Sequence, residues 1–219
     1  MKEYCKNVLD CDISIPTIKV YNNVNEIKWN ELPNKFVIKA NHDSGSTIIC
    51  NNKNDINVRQ KIINKLEKSI NTDFTFVNGF ESHYYWINRK IIVEELLTDN
   101  NQKNSLYDYK FWCFNGEPKL YTINDGNGHG DIMYYRMDDT EYNLYGIKRN
   151  QTYKKPKNFE LMVEYSKKLA SAFKFVRVDF YEVNDKVYIG ELTFTPGAMV
   201  FHYKNYDDEK YIGEFLKIK

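Results

Sequence analysis

The sequence lacks any long hydrophobic run and any clear excess of charge of one sign. No apolar segment approaches the ~20 residues that a membrane-spanning helix needs, and residues 1–5 do not begin the apolar stretch of a signal peptide. With 31 basic and 30 acidic residues, the formal charge is +1. This balance provides no excess positive charge for binding a nucleic-acid backbone. We therefore expect a cytoplasmic protein with no membrane span and no nucleic-acid partner.

Cysteine is scarce and scattered. The cysteines at positions 5, 11, 50 and 113 form no Cys-x-x-Cys pair and do not cluster with histidine. This spacing argues against a zinc site, and a protein that is not secreted keeps its thiols reduced. Hydrophobic residues make up 42% of the 219 residues. That is enough apolar material for one compact domain or two small ones.

Helical and strand patterns alternate along the chain. Apolar residues at helical spacing predict helices over 58–70 and 158–173, and a tail helix over 208–216. Strands are predicted over 36–39, 47–50, 90–97, 107–114, 118–123, 175–183 and 187–194, with turn signals at Gly45 and Asn115-Gly116. Helices mixed with antiparallel hairpins predict an α+β fold. A boundary near residue 98 would divide it into segments 1–97 and 98–219.

Two neighbouring strands near the C-terminus carry polar residues at a spacing of two. Because side chains alternate along a strand, Arg177 and Asp179 share one face, as do Glu191 and Thr193. Magnesium prefers hard oxygen ligands from one or two carboxylates, and an arginine beside it can bind a phosphoryl group. The spacing fits equally well a solvent-exposed face whose charges serve solubility.

The register of these strands decides between the two interpretations. A two-residue Asn184-Asp185 turn with regular pairing would place Asp179 opposite Gly190 and send Glu191 to the other face. A three-residue loop or a β-bulge would instead place Asp179 opposite Glu191. The same shift would set Arg177 opposite Thr193. A shared metal site therefore requires an odd loop or a bulge.

Three further positions suggest nucleotide contacts, each with a simpler alternative. Lys39 ends a strand beside the polar turn 41–46, where backbone N–H groups could hold a phosphate, although a plain hairpin bend has the same pattern. Glu94 and Glu95 follow an apolar strand and could bind adenine and ribose, or could merely end that strand. Lys110 alone is typical of a solvated strand residue.

Taken together, five segments resemble a known family. They read Phe-Val-Ile-Lys-Ala-Asn-His-Asp-Ser-Gly (36–45), Ile-Val-Glu-Glu-Leu-Leu (92–97), Asp-Tyr-Lys-Phe-Trp-Cys-Phe-Asn-Gly-Glu-Pro-Lys (108–119), Val-Arg-Val-Asp-Phe-Tyr (176–181) and Gly-Glu-Leu-Thr-Phe-Thr-Pro-Gly (190–197). In this order the chain resembles the TupA-like branch of the ATP-grasp family, which is associated with teichuronopeptide synthesis. The resemblance implies two α+β lobes with antiparallel sheets that enclose a nucleotide cleft.

The resemblance also implies roles for individual residues. ATP would be bound by Lys39, Ser44, Gly45, Ser46, Glu94, Glu95, Leu97 and Lys110. Magnesium would be bound by Asp179, Glu191 and Thr193, where Thr193 replaces the asparagine that most ATP-grasp enzymes carry. Arg177 and Lys39 would act on the transferring phosphate. His129 and Arg136 are candidate substrate contacts.

ATP-grasp enzymes usually have a preceding domain that helps to bind the carboxylate substrate. Only 38 residues precede Lys39, so we expect that domain to be reduced or missing. The loops 80–86 and 125–136, or a partner chain or second copy, would then complete the substrate site.

The resemblance implies an ATP-dependent carboxylate–amine ligase that acts through an acyl phosphate. Its carboxylate would belong to a uronic acid of a surface polysaccharide or capsule, and its amine to an amino acid or related compound. Two alternatives remain open. The chain could be a kinase that phosphorylates a sugar or another hydroxyl acceptor, or a nucleotide-binding module without catalysis, because a fold does not fix an activity.

Overall fold

The computed structural model describes residues 1–77, 79–99, 106–124, 134–143, 155–200 and 203–218. Within them the α-helices are α1 (Lys2–Leu9), α2 (Ile56–Asn71), α3 (Phe159–Ala170) and α4 (Tyr206–Gly213). The strands are β1 (Thr17–Tyr21), β2 (Phe36–Ala40), β3 (Ile48–Cys50), β4 (Ile91–Glu94), β5 (Asp108–Phe114), β6 (Glu117–Asn124), β7 (Tyr134–Arg136), β8 (Glu141–Tyr142), β9 (Phe175–Val183) and β10 (Lys186–Thr193). Helices combined with two antiparallel sheets confirm the predicted α+β class. None of the described helices is both long and apolar enough to span a bilayer.

The chain forms two compact units. One comprises Ile15–Leu97, and the other joins Met1–Ser14 to Thr98–Lys219. The sequence prediction grouped all of 1–97 together, whereas the structure places the first fourteen residues with the C-terminal segment. Their helix α1 explains this, because Cys5 and Leu9 are buried in the core beneath the larger sheet. The Tyr4 hydroxyl also donates a hydrogen bond to the Leu169 carbonyl of α3 at 2.8 Å.

The 15–97 unit consists of a four-stranded sheet in the order β1-β4-β2-β3 with α2 packed on it. Strand β2 alternates buried and partly buried residues, so Phe36 and Ile38 face the helix core while Lys39 lies on the other face. Helix α2 begins at an Asp55 cap, whose carboxylate accepts from the backbone N–H groups of residues 57 and 58. Such a cap stabilises a helix end by about 1 kcal/mol.

The larger unit consists of a six-stranded sheet in the order β10-β9-β5-β6-β7-β8. One face packs against α1 and α3 and buries alternate residues of the central strands, including Tyr109, Phe111, Val178 and Phe180. The residues between them therefore point to the opposite face. Asp108 and Lys110 of β5 and Arg177 and Asp179 of β9 lie there.

Two hairpins of this sheet use turns that suit their residues. Asn115 and Gly116 have φ values of 50° and 83°, and Asn184 and Asp185 have 50° and 63°. Positive φ at both central residues defines the tight two-residue turn whose twist matches paired strands. The Asn-Gly hairpin was predicted from sequence. The second turn fixes the start of the β9–β10 register.

Candidate active site

A cluster of charged side chains lies on the face of the larger sheet opposite α3. It consists of Asp108 and Lys110 from β5, Arg177 and Asp179 from β9, and Glu191 from β10; we call these five residues the charged cluster. Neighbouring strands place Lys110 opposite Asp179, and Asp179 opposite Glu191. Directly opposite residues project from the same face of a sheet. The pairing of three strands therefore gathers the cluster.

A β-bulge brings Asp179 and Glu191 onto the same face. From the two-residue turn, pairing runs regularly to Ile189 opposite Phe180, and then the register shifts so that Glu191 faces Asp179. Gly190 is the extra residue. The prediction of an odd loop or a bulge is confirmed: the turn has two residues, and a bulge shifts the register. A bulge adds one residue to one strand and so reverses which side chains face the core.

The bulge needs a glycine. A Cβ built on Gly190 would lie 2.8 Å from Cε2 of Tyr181 and 3.3 Å from the Asp179 carbonyl oxygen. Carbon atoms in contact are normally about 3.5–4.0 Å apart. A side chain at this position would therefore push against the tyrosine ring or the neighbouring strand, so the bulge leaves little room for one.

Asp179 is the centre of the cluster and is 2% exposed. Arg177 binds both of its oxygens, with Nε to Oδ1 at 2.7 Å and Nη2 to Oδ2 at 2.6 Å. Lys110 Nζ donates to Asp179 Oδ2 at 2.7 Å and also bonds Asp108. On the other side, Arg177 Nη2 donates to Thr193 Oγ1 at 3.0 Å, and Thr193 donates to Glu191 Oε1 at 2.5 Å. One hydrogen-bonded network thus joins all six residues.

The pKa values of Asp179 and Asp108 shift in opposite directions. Burial alone would raise the pKa of Asp179, but Arg177 and Lys110 outweigh it and hold that pKa below its usual range. Burial, followed by the nearby Asp179 carboxylate, raises the pKa of Asp108 to about 6. Arg177 stays charged because Asp179 raises its pKa against the effect of burial. Two cations are therefore held among three carboxylates.

Sequence reasoning missed Asp108. It lies two residues before Lys110, and the alternation of side chains along a strand already places both on one face. Its Oδ2 accepts from Lys110, while Oδ1 is buried with no partner among the described residues. The signal was present in the Asp-Tyr-Lys triplet of the motif, but the sequence prediction gave the aspartate no role.

The donor set of the cluster fits magnesium. Asp179 and Glu191 provide hard carboxylate oxygens at facing positions, with the Thr193 hydroxyl beside them. Among the described residues, no three His, Cys, Asp or Glu side chains form a closed metal cage. Magnesium is commonly held by one or two carboxylates together with water and substrate phosphate. Glu191, with its side chain 55% exposed, could turn towards such an ion.

The 15–97 unit carries the residues predicted to bind ATP apart from Lys110, which lies in the larger unit. Lys39 Nζ lies 2.7 Å from Glu94 Oε2, and the Glu94 side chain is 4% exposed. The two strands place them on one face and two residues apart in register, with Val37 opposite Glu94 and Lys39 opposite Ile92. Glu94 thus contacts Lys39 and restrains its ammonium group. Glu95 is exposed and Leu97 is half-buried, and the Glu95 backbone N–H donates to the Pro16 carbonyl at 3.0 Å.

Side-chain hydrogen bonds fix the conformation of the loop 41–46 between β2 and β3. Ser46 is buried; its Oγ accepts from the Ala40 backbone N–H at 2.9 Å and donates to Asp43 Oδ1 at 2.5 Å. The second Asp43 oxygen accepts from Ser69 of α2. The Ser46 hydroxyl is thus committed to the loop itself. Ser44 and Gly45 are exposed at its tip, where Gly45 has a φ of 95°.

The two predicted substrate contacts have different outcomes. His129 lies outside the described residues, so its role stays a prediction. Arg136 ends β7, and its guanidinium carbon lies 4.5 Å from the ring centre of Tyr142 and 5.3 Å from that of Tyr211. Its Nε donates to the Tyr211 hydroxyl at 3.0 Å. The structure gives Arg136 a packing role, and a substrate contact remains a prediction.

Solved structures with similar architecture place the fold in a class. D-alanine–D-alanine ligase from Helicobacter pylori has a TM-score of 0.53 at 15% identity, covering 98% of this chain and 55% of that one. The enzyme from Bacillus anthracis gives 0.51 at 14% identity, with coverage of 98% and 64%. L-amino acid ligase from Bacillus licheniformis gives 0.50 at 10% identity, with coverage of 87% and 41%. At these identities the likeness shows the fold alone, and that fold is the ATP-grasp fold.

The family follows from the sequence itself. Residues 1–217 match the family described as TupA-like ATPgrasp, and the chain belongs to that family. No curated protein matches the chain in sequence. The chain spans between 41% and 64% of the solved ligases named above. The resemblance in the motifs is thereby confirmed at the level of family and fold.

Proposed function

We propose that the protein is an ATP-dependent ligase that joins a carboxylate to an amine through an acyl phosphate. The charged cluster is the observation that carries this proposal. Its bulged register sets two carboxylates, an arginine and a hydroxyl side by side, with Asp179 opposite Glu191 and Arg177 opposite Thr193. Family membership and the ATP-grasp fold also support an ATP-dependent ligase.

In the proposed reaction a carboxylate oxygen forms a bond to the γ-phosphorus of ATP while the bond to the β,γ-bridging oxygen breaks and ADP leaves. The amine nitrogen then attacks the acyl carbon, loses a proton, and phosphate departs with the C–O electron pair. Arg177 would stabilise charge on the transferring group, since preorganised donors act most strongly where charge develops. Lys39 would hold the nucleotide phosphates.

Asp179 and Glu191, with Thr193, would hold magnesium. A magnesium ion bound there would neutralise phosphate charge. Lys110 and Arg177 fix the Asp179 carboxylate from both sides. That fixation keeps the oxygens in place before the nucleotide binds, and positioning of this kind is the main protein contribution to phosphoryl transfer.

The finer proposal concerns the substrates. By its family, the carboxylate is proposed to be a uronic acid of a surface polysaccharide or its precursor, and the amine an amino acid. The exposed aromatic side chains of Phe80, Tyr85 and Trp86 suit contact with a sugar ring. This segment was predicted from sequence to share in substrate binding, and the assignment remains a proposal.

A screen of carboxylate and amine pairs for ADP release tests the function. Hydroxylamine, added in place of the amine, would convert an acyl phosphate to a hydroxamate. The proposal expects hydroxamate with a uronic acid and ATP, and ADP release that requires both acid and nucleophile. Asp179→Asn should lower the rate by about 10²-fold or more. A phosphorylated hydroxyl product without amine would indicate a kinase, and ATP binding without turnover a non-catalytic module; either contradicts the proposal.

A further inference from the structure

Three buried oxygen atoms, one within the charged cluster and two beside it, have no hydrogen-bond partner among the described residues. They are Asp108 Oδ1, Thr122 Oγ1 and Asn124 Oδ1, and we call them the acceptor triad. Buried polar atoms are nearly always satisfied, because an unpaired one loses its bonds to water without replacement. Three in one place therefore call for a ligand that supplies donors.

The register of β5 and β6 brings the triad together. Asp108 lies opposite Asn124, and Lys110 lies opposite Thr122. Opposite residues on one face have Cβ atoms about 4.5–5.5 Å apart, and neighbours two positions along a strand share that face. The four side chains therefore form a square, and Lys110 is the corner that also bonds Asp179.

The chemistry of the triad selects a donor-rich group. A carboxylate oxygen and an amide oxygen only accept hydrogen bonds, and a hydroxyl can accept as well. A primary amine that arrives protonated offers three N–H donors for three acceptors, and it passes one proton to the Asp108 carboxylate before its nitrogen lone pair can attack. The Asp108 carboxylate, which belongs to the triad, attracts a cation and repels an anion.

The described residues contain three further buried hydroxyls without a partner, those of Tyr21, Thr75 and Ser166, and Ser166 shows what distinguishes the triad. Ser166 Oγ of α3 is also buried and without a partner among the described residues. It lies on the helix that packs on the opposite face of the sheet, among the apolar side chains of that core. A packed apolar core can tolerate the free-energy cost of a single buried hydroxyl without a hydrogen-bond partner. The triad differs because its three oxygens converge beside the residues proposed to act on phosphate.

We propose that the acceptor triad binds the amino group of the second substrate, next to the site of acyl-phosphate formation. This inference rests on the proposed ligase function and adds the site of its nucleophile. Amines that present a primary amino group fit the triad, whereas a second carboxylate or a phosphate does not. Thr122 and Asn124 thereby gain a substrate-binding role that none of the motifs assigned.

The test compares two products of one acyl phosphate within each variant. Wild-type and variant enzyme receive ATP, the carboxylate that gives hydroxamate, hydroxylamine, and one amine probe at a time: glycine, L-alanine, L-lysine or ethanolamine. Thr122→Val removes the hydroxyl at nearly constant volume, and Thr122→Ser keeps it. Ser166→Ala is the matched control for loss of a buried hydroxyl elsewhere. The ratio of amide to hydroxamate separates amine binding from general loss of activity.

We expect Thr122→Val to lower that ratio by about tenfold, the effect of one lost hydrogen bond in a buried site. Thr122→Ser and Ser166→Ala should keep the wild-type ratio. Asn124→Leu against Asn124→Asp repeats the comparison if Thr122→Val does not fold. A wild-type ratio in both apolar variants would overturn the inference, as would an unchanged ratio with a raised KM for ATP, which would place a nucleotide hydroxyl on the triad. Absence of hydroxamate in the wild-type enzyme would overturn the proposed function, and this inference with it.

Discussion

The charged cluster and the 41–46 loop hold polar groups in place by different means. In the cluster, strand register does the positioning, and each charge of Asp179, Arg177 and Lys110 contacts an opposite charge. In the loop, two serines donate hydrogen bonds to Asp43 and hold the backbone in place, while Ser44 and Gly45 are exposed at the tip. The comparison teaches that the buried charges of the cluster are positioned by strand pairing. The exposed backbone at the loop tip is positioned by a few hydrogen bonds within the loop and to α2.

The largest expected effect comes from Arg177→Ala. Turnover should fall by about 10²–10³-fold, because one preorganised donor is lost at the transferring group, while ATP affinity changes less. Lys39→Ala should show the reverse pattern, with weaker ATP binding and a smaller loss of turnover. Steady-state kinetics and nucleotide titration separate the two effects. Full turnover of Arg177→Ala with every candidate substrate would remove its proposed role.

Gly190→Ala should act next most strongly, through the register rather than through a lost functional group. The added methyl would press on the Tyr181 ring and the Asp179 carbonyl oxygen, and we expect the bulge to shift so that Asp179 and Glu191 lose their alignment. We expect at least a tenfold lower turnover, or roughly 1.4 kcal/mol in transition-state stabilisation, together with a lower midpoint of urea unfolding. Gly213→Ala is the control, since its added Cβ meets no atom. Wild-type kinetics in Gly190→Ala would show that the bulge does not set the site.

Much of the fold could be predicted from sequence because it rests on local patterns. Amphipathic spacing located α2 and α3, and Asn115-Gly116 located a hairpin. The bulge also left a trace. Val187 and Ile189 face the core at odd positions, and Leu192 faces it at an even one, so the alternation changes phase around Gly190. The bulge was predicted because a shared metal site requires Asp179 and Glu191 on one face, and this phase change is its independent trace in the sequence.

The features that were not predicted depend on contacts between distant segments of the chain. Such contacts leave a weaker pattern in the sequence. Helix α1 is short, and its burial against α3 is a long-range contact. Strands β7 and β8 have only three and two residues, too few for an alternation pattern. The acceptor triad requires the β5–β6 register, which no single segment encodes. The contact between Lys39 and Glu94 likewise appears only once β2 lies beside β4.

Asp43→Ala should have a moderate effect confined to the loop. Losing the carboxylate removes the bonds to Ser46 and Ser69, so the loop tip loses its fixed backbone geometry. We expect the KM for ATP to rise about threefold to tenfold with a smaller change in kcat, as for the loss of one or two hydrogen bonds. Asp55→Ala, which removes a helix cap elsewhere in the same unit, controls for general destabilisation. A change in kcat alone would contradict a role in nucleotide binding.

Replacing the cysteines should have the smallest effect. All four are free; Cys5, Cys50 and Cys113 are buried, and burial raises the pKa of each of those three thiols. Neutral, buried thiols are poor nucleophiles. A variant with Cys5, Cys11, Cys50 and Cys113 all changed to Ala or Ser should keep activity within roughly threefold once folded. Loss of turnover in a well-folded variant would assign one of them a catalytic role.

Oxygen transfer tests the central claim most directly. The carboxylate substrate is labelled with ¹⁸O in its carboxyl group, and phosphate released from ATP is analysed by ³¹P NMR or mass spectrometry. An acyl-phosphate ligase carries one carboxyl oxygen into phosphate, because the C–O bond breaks when the amine attacks. We predict one ¹⁸O atom per phosphate released, with ADP as the other product. Label found in AMP, or unlabelled phosphate accompanied by full amide formation, would contradict the account.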